Sequence, residues 1–164
     1  MTTTDAPPLD AAGGMTDLAA RIRAWARELG FQSLGICGTD LSPHDERLRE
    51  WVAQGLHGEL DYMARHGAKR WRPEELLPGT LRVISVRMDY HRPDGAAPLA
   101  ILDDPERAYV SRYALGRDYH KLMRARLARL ADRILAARPG SVQRVFVDSA
   151  PVLERGVAHK AGPG

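Results

Sequence analysis

Between Asp17 and Cys37 an amphipathic stripe hands over directly to a short apolar run. That junction limits the chain to folds that layer helices on a sheet. Leu18, Ile22, Trp25 and Leu29 recur at i, i+4, i+7 and i+11, one face of a helix. Thr16 stands where an N-cap belongs, and the helix is predicted to begin at Asp17. Gly30 occupies the C′ position that ends it. Phe31 to Cys37 then reads as a strand, since turn residues bound it and no helical stripe continues. A chain of 164 residues, 44% apolar, suffices for one domain with its own core. Three Trp, five Tyr and two Phe leave most of that core to aliphatic residues. No apolar run approaches the ~18 residues of a membrane helix.

The remaining pattern is mixed. Ser42 and Pro43 open a predicted helix through Val52, with Leu48, Trp51 and Val52 on its apolar face, and Gly55 and Gly58 break it. Glu59 to Arg65 is predicted as a short helix, and Glu74 to Leu77 as a helical turn between prolines. Leu81 to Tyr90 alternates as a strand buried on one face and partly on the other. Arg92 to Pro105 reads as a loop, and Ala108 to Arg112 as a further strand. Asp118 is placed to cap a long helix from Tyr119 to Arg138, with Met123, Leu127, Leu130 and Ile134 as its core stripe. Arg126, Arg129 and Arg133 line another face of it. Gln143 to Asp148 reads as a strand, and Pro151 opens a final helix through Val157. Residues 1–14 are rich in Thr, Ala, Pro and Gly, with neither a basic start nor an apolar core. They are expected to form a disordered tail rather than a signal peptide.

Charge excludes little. Twenty-four Lys and Arg against 21 Asp and Glu give +3. The bases gather in Arg65 to Arg92 and Lys121 to Arg138, and the acids in Asp40 to Asp61. Such segregation can present a positive face to phosphates, or the arginines can simply be solvated helix faces. The single cysteine, Cys37, excludes an internal disulfide and any multi-cysteine metal site built from this chain alone. In a short apolar strand it suits a buried thiol better than a nucleophile. Its reducing context points to the cytoplasm.

Three stretches could carry chemistry. Asp148 follows an apolar run and precedes Ser149-Ala150-Pro151. Partly desolvated beside Phe146, its carboxyl could donate a proton; equally, Asp and Ser before Pro suit a helix cap. Ser111 to His120 (SRYALGRDYH) gathers hydrogen-bonding side chains, two arginines and a hinge glycine before a helix N-terminus, which suits an anionic or amide-rich ligand. The alternative there is a cap at Asp118 with Tyr113 and Tyr119 as packing residues. The third stretch, Gly55 to Arg72, offers Lys69 and Arg70 to a phosphate. His57, Glu59, Asp61 and His66 lie nearby, but their spacing matches no zinc pattern.

Three blocks carry a resemblance: GLHGELDYMARHGAKRWRPEELLPGTLRVISVRMDY, SRYALGRDYHKLMRARLARL and RVFVDSAPVLERGVAHKAG. In this order the sequence resembles the N-terminal domain of epoxyqueuosine reductases from about Met15 onward. The resemblance implies an α+β fold, similar to flavin nitroreductases and corrinoid-binding proteins, with helices flanking the sheet. It implies cobalamin as cofactor and reduction of the epoxide of epoxyqueuosine to queuosine at the tRNA wobble position. Asp148 matches the family's proton donor. Arg70, Ser111 and Asp148, with Arg112 and Tyr113, match its cobalamin contacts. Two [4Fe–4S] clusters of a following ferredoxin-like domain would supply electrons. Here Pro163 interrupts the family's pattern and the cluster cysteines are missing. The expectation is therefore a monomeric domain over residues 15–164, incomplete at its C-terminal end and dependent on a separate iron–sulfur donor. The competing expectations are a non-catalytic corrinoid- or tRNA-binding fragment and, by fold analogy alone, a flavin enzyme.

Overall fold

The computed structural model describes residues 14–90, 98–148 and 150–163. The expected tail thus lies outside the described residues except for Gly14, which already belongs to the first helix. In chain order the elements are α1 (Gly14–Glu28), β1 (Ser33–Cys37), α2 (Ser42–Ala53), α3 (Tyr62–Arg65), α4 (Pro73–Leu76) and β2 (Val83–Arg87). They continue with α5 (Pro98–Leu102), α6 (Tyr119–Ala137) and α7 (Glu154–Ala161). Single 3-10 turns stand at Gly67–Arg70 and Arg112–Ala114.

The centre is a two-stranded antiparallel ribbon in which Leu34 pairs Val86, Ile36 pairs Ile84 and Cys37 pairs Val83. Alternation sends its two faces to different layers. Leu34, Ile84 and Val86 pack against a core of Leu18, Ile22, Leu29, Phe31, Leu130 and Ile134, drawn from α1, α6 and the turn between α1 and β1. Cys37 and Val83 meet Leu41 and Val157 on the opposite face, under α7. Gly35 makes that second contact possible, because a Cβ there would come within 2.0 Å of the Ala161 carbonyl oxygen. The fold is therefore helices, a small sheet and a further helix, a mixed α and β architecture.

Local chemistry fixes the ends. The Gly30 N–H reaches the Arg27 carbonyl and the Phe31 N–H that of Ala26, while Gly30 sits at φ 83°. These paired bonds close α1 in a Schellman turn, with Phe31 buried beneath it. Asp118 caps α6 as expected, its side chain accepting from the His120 N–H. Arg133 reaches back to Glu28 and Arg126 to the Gly30 carbonyl, so two of the three arginines on that face join α6 to α1.

Several elements depart from expectation. α1 starts at Gly14, leaving Thr16 inside the helix rather than capping it. The strand predicted over Leu81 to Tyr90 is confined to Val83–Arg87, as long as its partner β1. α3 is only the last turn of the helix predicted over Glu59 to Arg65. Pro98–Leu102 is a helix where a loop was predicted, and residues 91–97 beside it are outside the described residues. Ala108 to Arg112 pairs with no strand among the described residues, and Arg112 opens a 3-10 turn instead. Gln143 to Asp148 likewise joins no ladder with a described strand, and it ends in a bend at Val147 and Asp148. An apolar run satisfies only one requirement of a strand; the other is a neighbouring edge with free backbone groups. The last helix begins at Glu154, three residues after the expected Pro151, and runs on to Ala161.

Candidate functional site

The site forms where the start of α6 meets the unpaired segment before α7. Asp148 sits there at φ 53°, the one residue other than glycine with positive φ among those described. Asp tolerates this left-handed conformation better than most side chains. Its carboxylate accepts a hydrogen bond from the Tyr119 phenol through Oδ2. The same oxygen lies 3.4 Å from His120 Nε2. His120 Nδ1 in turn lies 2.9 Å from Asp118 Oδ1, so the α6 cap also orients the imidazole. The bond to Asp148 pushes the Tyr119 phenol up to about 12, and the phenol stays protonated through the neutral range.

Asp148 does not cap α7. That helix has Leu153 at its N-cap, with no side-chain capping bond. Nor is the carboxylate desolvated under Phe146: its side chain is 47% exposed. Glu154 completes the acidic corner. Partial burial first, and the nearby Asp148 charge second, hold its carboxyl above the usual range.

Ser111, Arg112 and Tyr113 line an open cleft of about 540 Å³, together with Met88 and Tyr90 beyond β2, Pro98 at the start of α5, and Tyr109. Aromatic edges connect this cleft to Asp148. Tyr90 meets Tyr113 with ring centroids 6.4 Å apart, Tyr113 meets Tyr119 at 5.9 Å, and Tyr119 stacks on His120 at 4.0 Å. The segments framing the cleft keep apolar side chains in solvent, with Leu99 72% and Leu115 60% exposed.

Arg70 is elsewhere. It is 7% exposed, and its guanidinium donates to the carbonyls of Tyr62 and Met63 while lying 5.7 Å from the Tyr62 ring. Its own carbonyl accepts the Leu153 N–H at 2.9 Å. The structure thus gathers Ser111, Arg112, Tyr113 and Asp148 along one line and spends Arg70 on tying α3 to the start of α7. Tyr119 and His120 belong to the site as more than packing. The signal for them was their place directly after the Asp118 cap, which aims both side chains off a helix N-terminus.

Cys37 is buried and donates its thiol toward the Val157 carbonyl at 3.9 Å; burial raises its pKa. Among the described residues no three His, Cys, Asp or Glu side chains converge as a metal would require. No described helix is long and apolar enough to cross a membrane.

A family model described as epoxyqueuosine reductase QueG, DUF1730, matches residues 70–149. An epoxyqueuosine reductase of Xanthomonas campestris is 60% identical over 149 residues, which are 91% of this chain and 42% of the relative. One of Escherichia coli K12 is 55% identical over 157 residues, 96% of this chain and 40% of the relative. The chain therefore spans about two fifths of the length of the curated relatives it matches. Among solved structures, an epoxyqueuosine reductase with an epoxyqueuosine-modified tRNA-Tyr stem loop superposes with a TM-score of 0.73 at 25% identity, over 91% of this chain and 39% of the other. The Streptococcus thermophilus enzyme gives 0.72 at 23% identity, over 90% and 39%, and shares the fold.

Proposed function

We propose, on the premise that this chain is related to the epoxyqueuosine reductases over nine tenths of its length, that it forms the corrinoid- and substrate-binding part of such an enzyme. The reaction reduces the epoxide of epoxyqueuosine to the alkene of queuosine in tRNA. The observation that carries the reading is the Asp148 carboxylate, held by Tyr119 at the end of an aromatic line leading from the cleft. The finer architecture goes with it: a nitroreductase-like, corrinoid-binding domain over residues 15–164 that needs further strands, acting as a monomer in the cytoplasm.

The residues present fit cobalamin. Exposed apolar side chains on α5 and after the 3-10 turn would lie against a corrin, and Ser111 and Arg112 would bond its amide arms. Tyr113 would pack beside it, and Arg70, which matches a family contact but lies outside the cleft, would act only through the α3 turn whose Tyr62 and Met63 carbonyls it bonds. Bound cobalamin would supply the electrons that open the C–O bond. Epoxide to alkene takes two electrons and two protons and releases water. Protonated on the oxygen that Tyr119 leaves free, Asp148 would deliver one proton to the oxygen that leaves carbon, general-acid help typically worth about 10²–10⁴-fold. Basic α6 residues such as Lys121 would attract the anticodon stem-loop, and a displaced wobble base would enter the cleft.

Iron–sulfur clusters do not fit this chain. Each needs several thiolates, whereas Cys37 stands alone, buried and protonated. Electrons would come from iron–sulfur centres outside these residues. That same deficit favours the second reading, a corrinoid- or tRNA-binding module without turnover.

Three measurements separate the readings. Cobalamin added to the protein should give a base-off visible spectrum, whereas uptake of flavin alone would favour a flavin enzyme. With reductant and an iron–sulfur donor, queuosine should appear in tRNA; binding without product would leave the module. Asp148→Asn should abolish the product and keep the cobalamin spectrum. Undiminished turnover by that variant would remove Asp148 from the acid role.

A further inference from the structure

We propose that Tyr119 is the positioning residue for Asp148, its phenol fixing the direction in which a left-handed loop presents the carboxylate. The inference rests on the reading of Asp148 as the proton donor and asks what holds that donor still.

Asp148 has no support from regular structure. It belongs to neither helix nor ladder, and its backbone is at φ 53°. Only Val147 before it is buried, at 5% exposure. A carboxylate on such a loop would sample many directions unless a rigid group claimed one of its oxygens. α6 supplies that group. Its far end is anchored by Leu130 and Ile134 in the main core, and its first residue, Tyr119, donates to Asp148 Oδ2. His120 approaches the same oxygen at 3.4 Å, but Asp118 already claims its other nitrogen. The phenol makes the closer contact and stays neutral, so it holds the carboxylate without adding charge. Tyr113 abuts the Tyr119 ring at 5.9 Å and His120 stacks on it, which fixes the ring itself.

Two measurements on the full chain test this without cobalamin or tRNA. The first is backbone relaxation by NMR. Asp148 should show an order parameter near the ~0.85 of rigid backbone, falling below ~0.6 in Tyr119→Phe, with the Leu130 amide unchanged. An unchanged Asp148 value would overturn the proposal. The second is the absorbance of tyrosinate at alkaline pH, read milliseconds after a jump to about pH 11, before alkali unfolds the chain. At that pH a phenol titrating at about 12 is roughly one-tenth ionised, and one at the ordinary 10.0 roughly nine-tenths. Asp148→Ala, which removes the acceptor and its charge together, should therefore add tyrosinate absorbance at that pH; no gain would mean that phenol and carboxylate are not bonded. This arm stands even if Tyr119→Phe does not fold. Neither arm reads epoxide reduction, so the positioning can fail while the acid role survives, and the reverse.

Discussion

The ribbon with its covering helices and the cleft beside Asp148 are organised on opposite terms. In the first region side chains are consumed: Leu130 is 2% exposed, and Gly35 surrenders its side chain altogether so that α7 can reach the strand. In the second they are held in reserve, with Leu99 and Leu115 in water and Asp148 at the surface on a left-handed backbone. Burying one leucine-sized side chain is worth about 1.5–3 kcal/mol. Leaving several exposed on α5 and around the 3-10 turn forgoes stabilisation that a ligand would restore on binding. One region is built to stay folded, and the other to complete itself around something else.

Substitutions can break or sharpen that contrast. Gly35→Ala should have the largest effect. The new Cβ would meet the backbone of Ala161 and the ring of Pro163, and neither can turn aside without lifting α7. The cost should exceed the ~3 kcal/mol of ordinary overpacking, seen as a loss of cooperative unfolding or a collapse of the urea midpoint. Leu130→Ala should cost about 3 kcal/mol in the same assay, with α1 and α6 loosening together.

Asp118→Ala should be milder and dependent on pH. The His120 contacts hold the Asp118 carboxyl below its ordinary value of 3.8. A depressed folded-state pKa stabilises fully above the unfolded value and is lost as pH falls through the folded one. Wild type and variant should therefore differ most above about pH 4 and converge in stronger acid. Thermal melts across that range would show it, and a constant gap would disprove the coupling. Leu99→Ser should be the smallest, within about 0.5 kcal/mol in stability. The same change should weaken cobalamin binding measured from the visible spectrum. A large stability loss at Leu99 would erase the distinction between the two regions.

What could be foreseen from the sequence follows the same division. The stripe Leu18, Ile22, Leu29 and the stripe Leu130, Ile134 were legible because burial against one partner imposes a helical period. The Gly30 ending and the Asp118 cap were legible because each is a local bargain among a few consecutive residues. Gln143 to Asp148 misled because a strand depends on a second strand, which no run of apolar residues reveals. Arg70 was singled out for a phosphate, yet its partners are main-chain carbonyls at Tyr62 and Met63, and carbonyls leave no trace in a sequence. Tyr119 was foreseen as part of a ligand-binding stretch or as packing, but not as the partner of Asp148, since their bond spans 29 positions.

The Arg70 arrangement decides which replacements that position can accept. α3 buries none of its own residues, so the turn is organised around a cation where most turns are organised around oil. Two successive carbonyls are gripped by different nitrogens of one planar fork, a shape that a lysine, with a single point of charge, cannot reproduce. An apolar side chain would leave the same carbonyls without these donors. Arginine at 70 is thus close to irreplaceable on structural grounds alone, before any ligand is considered.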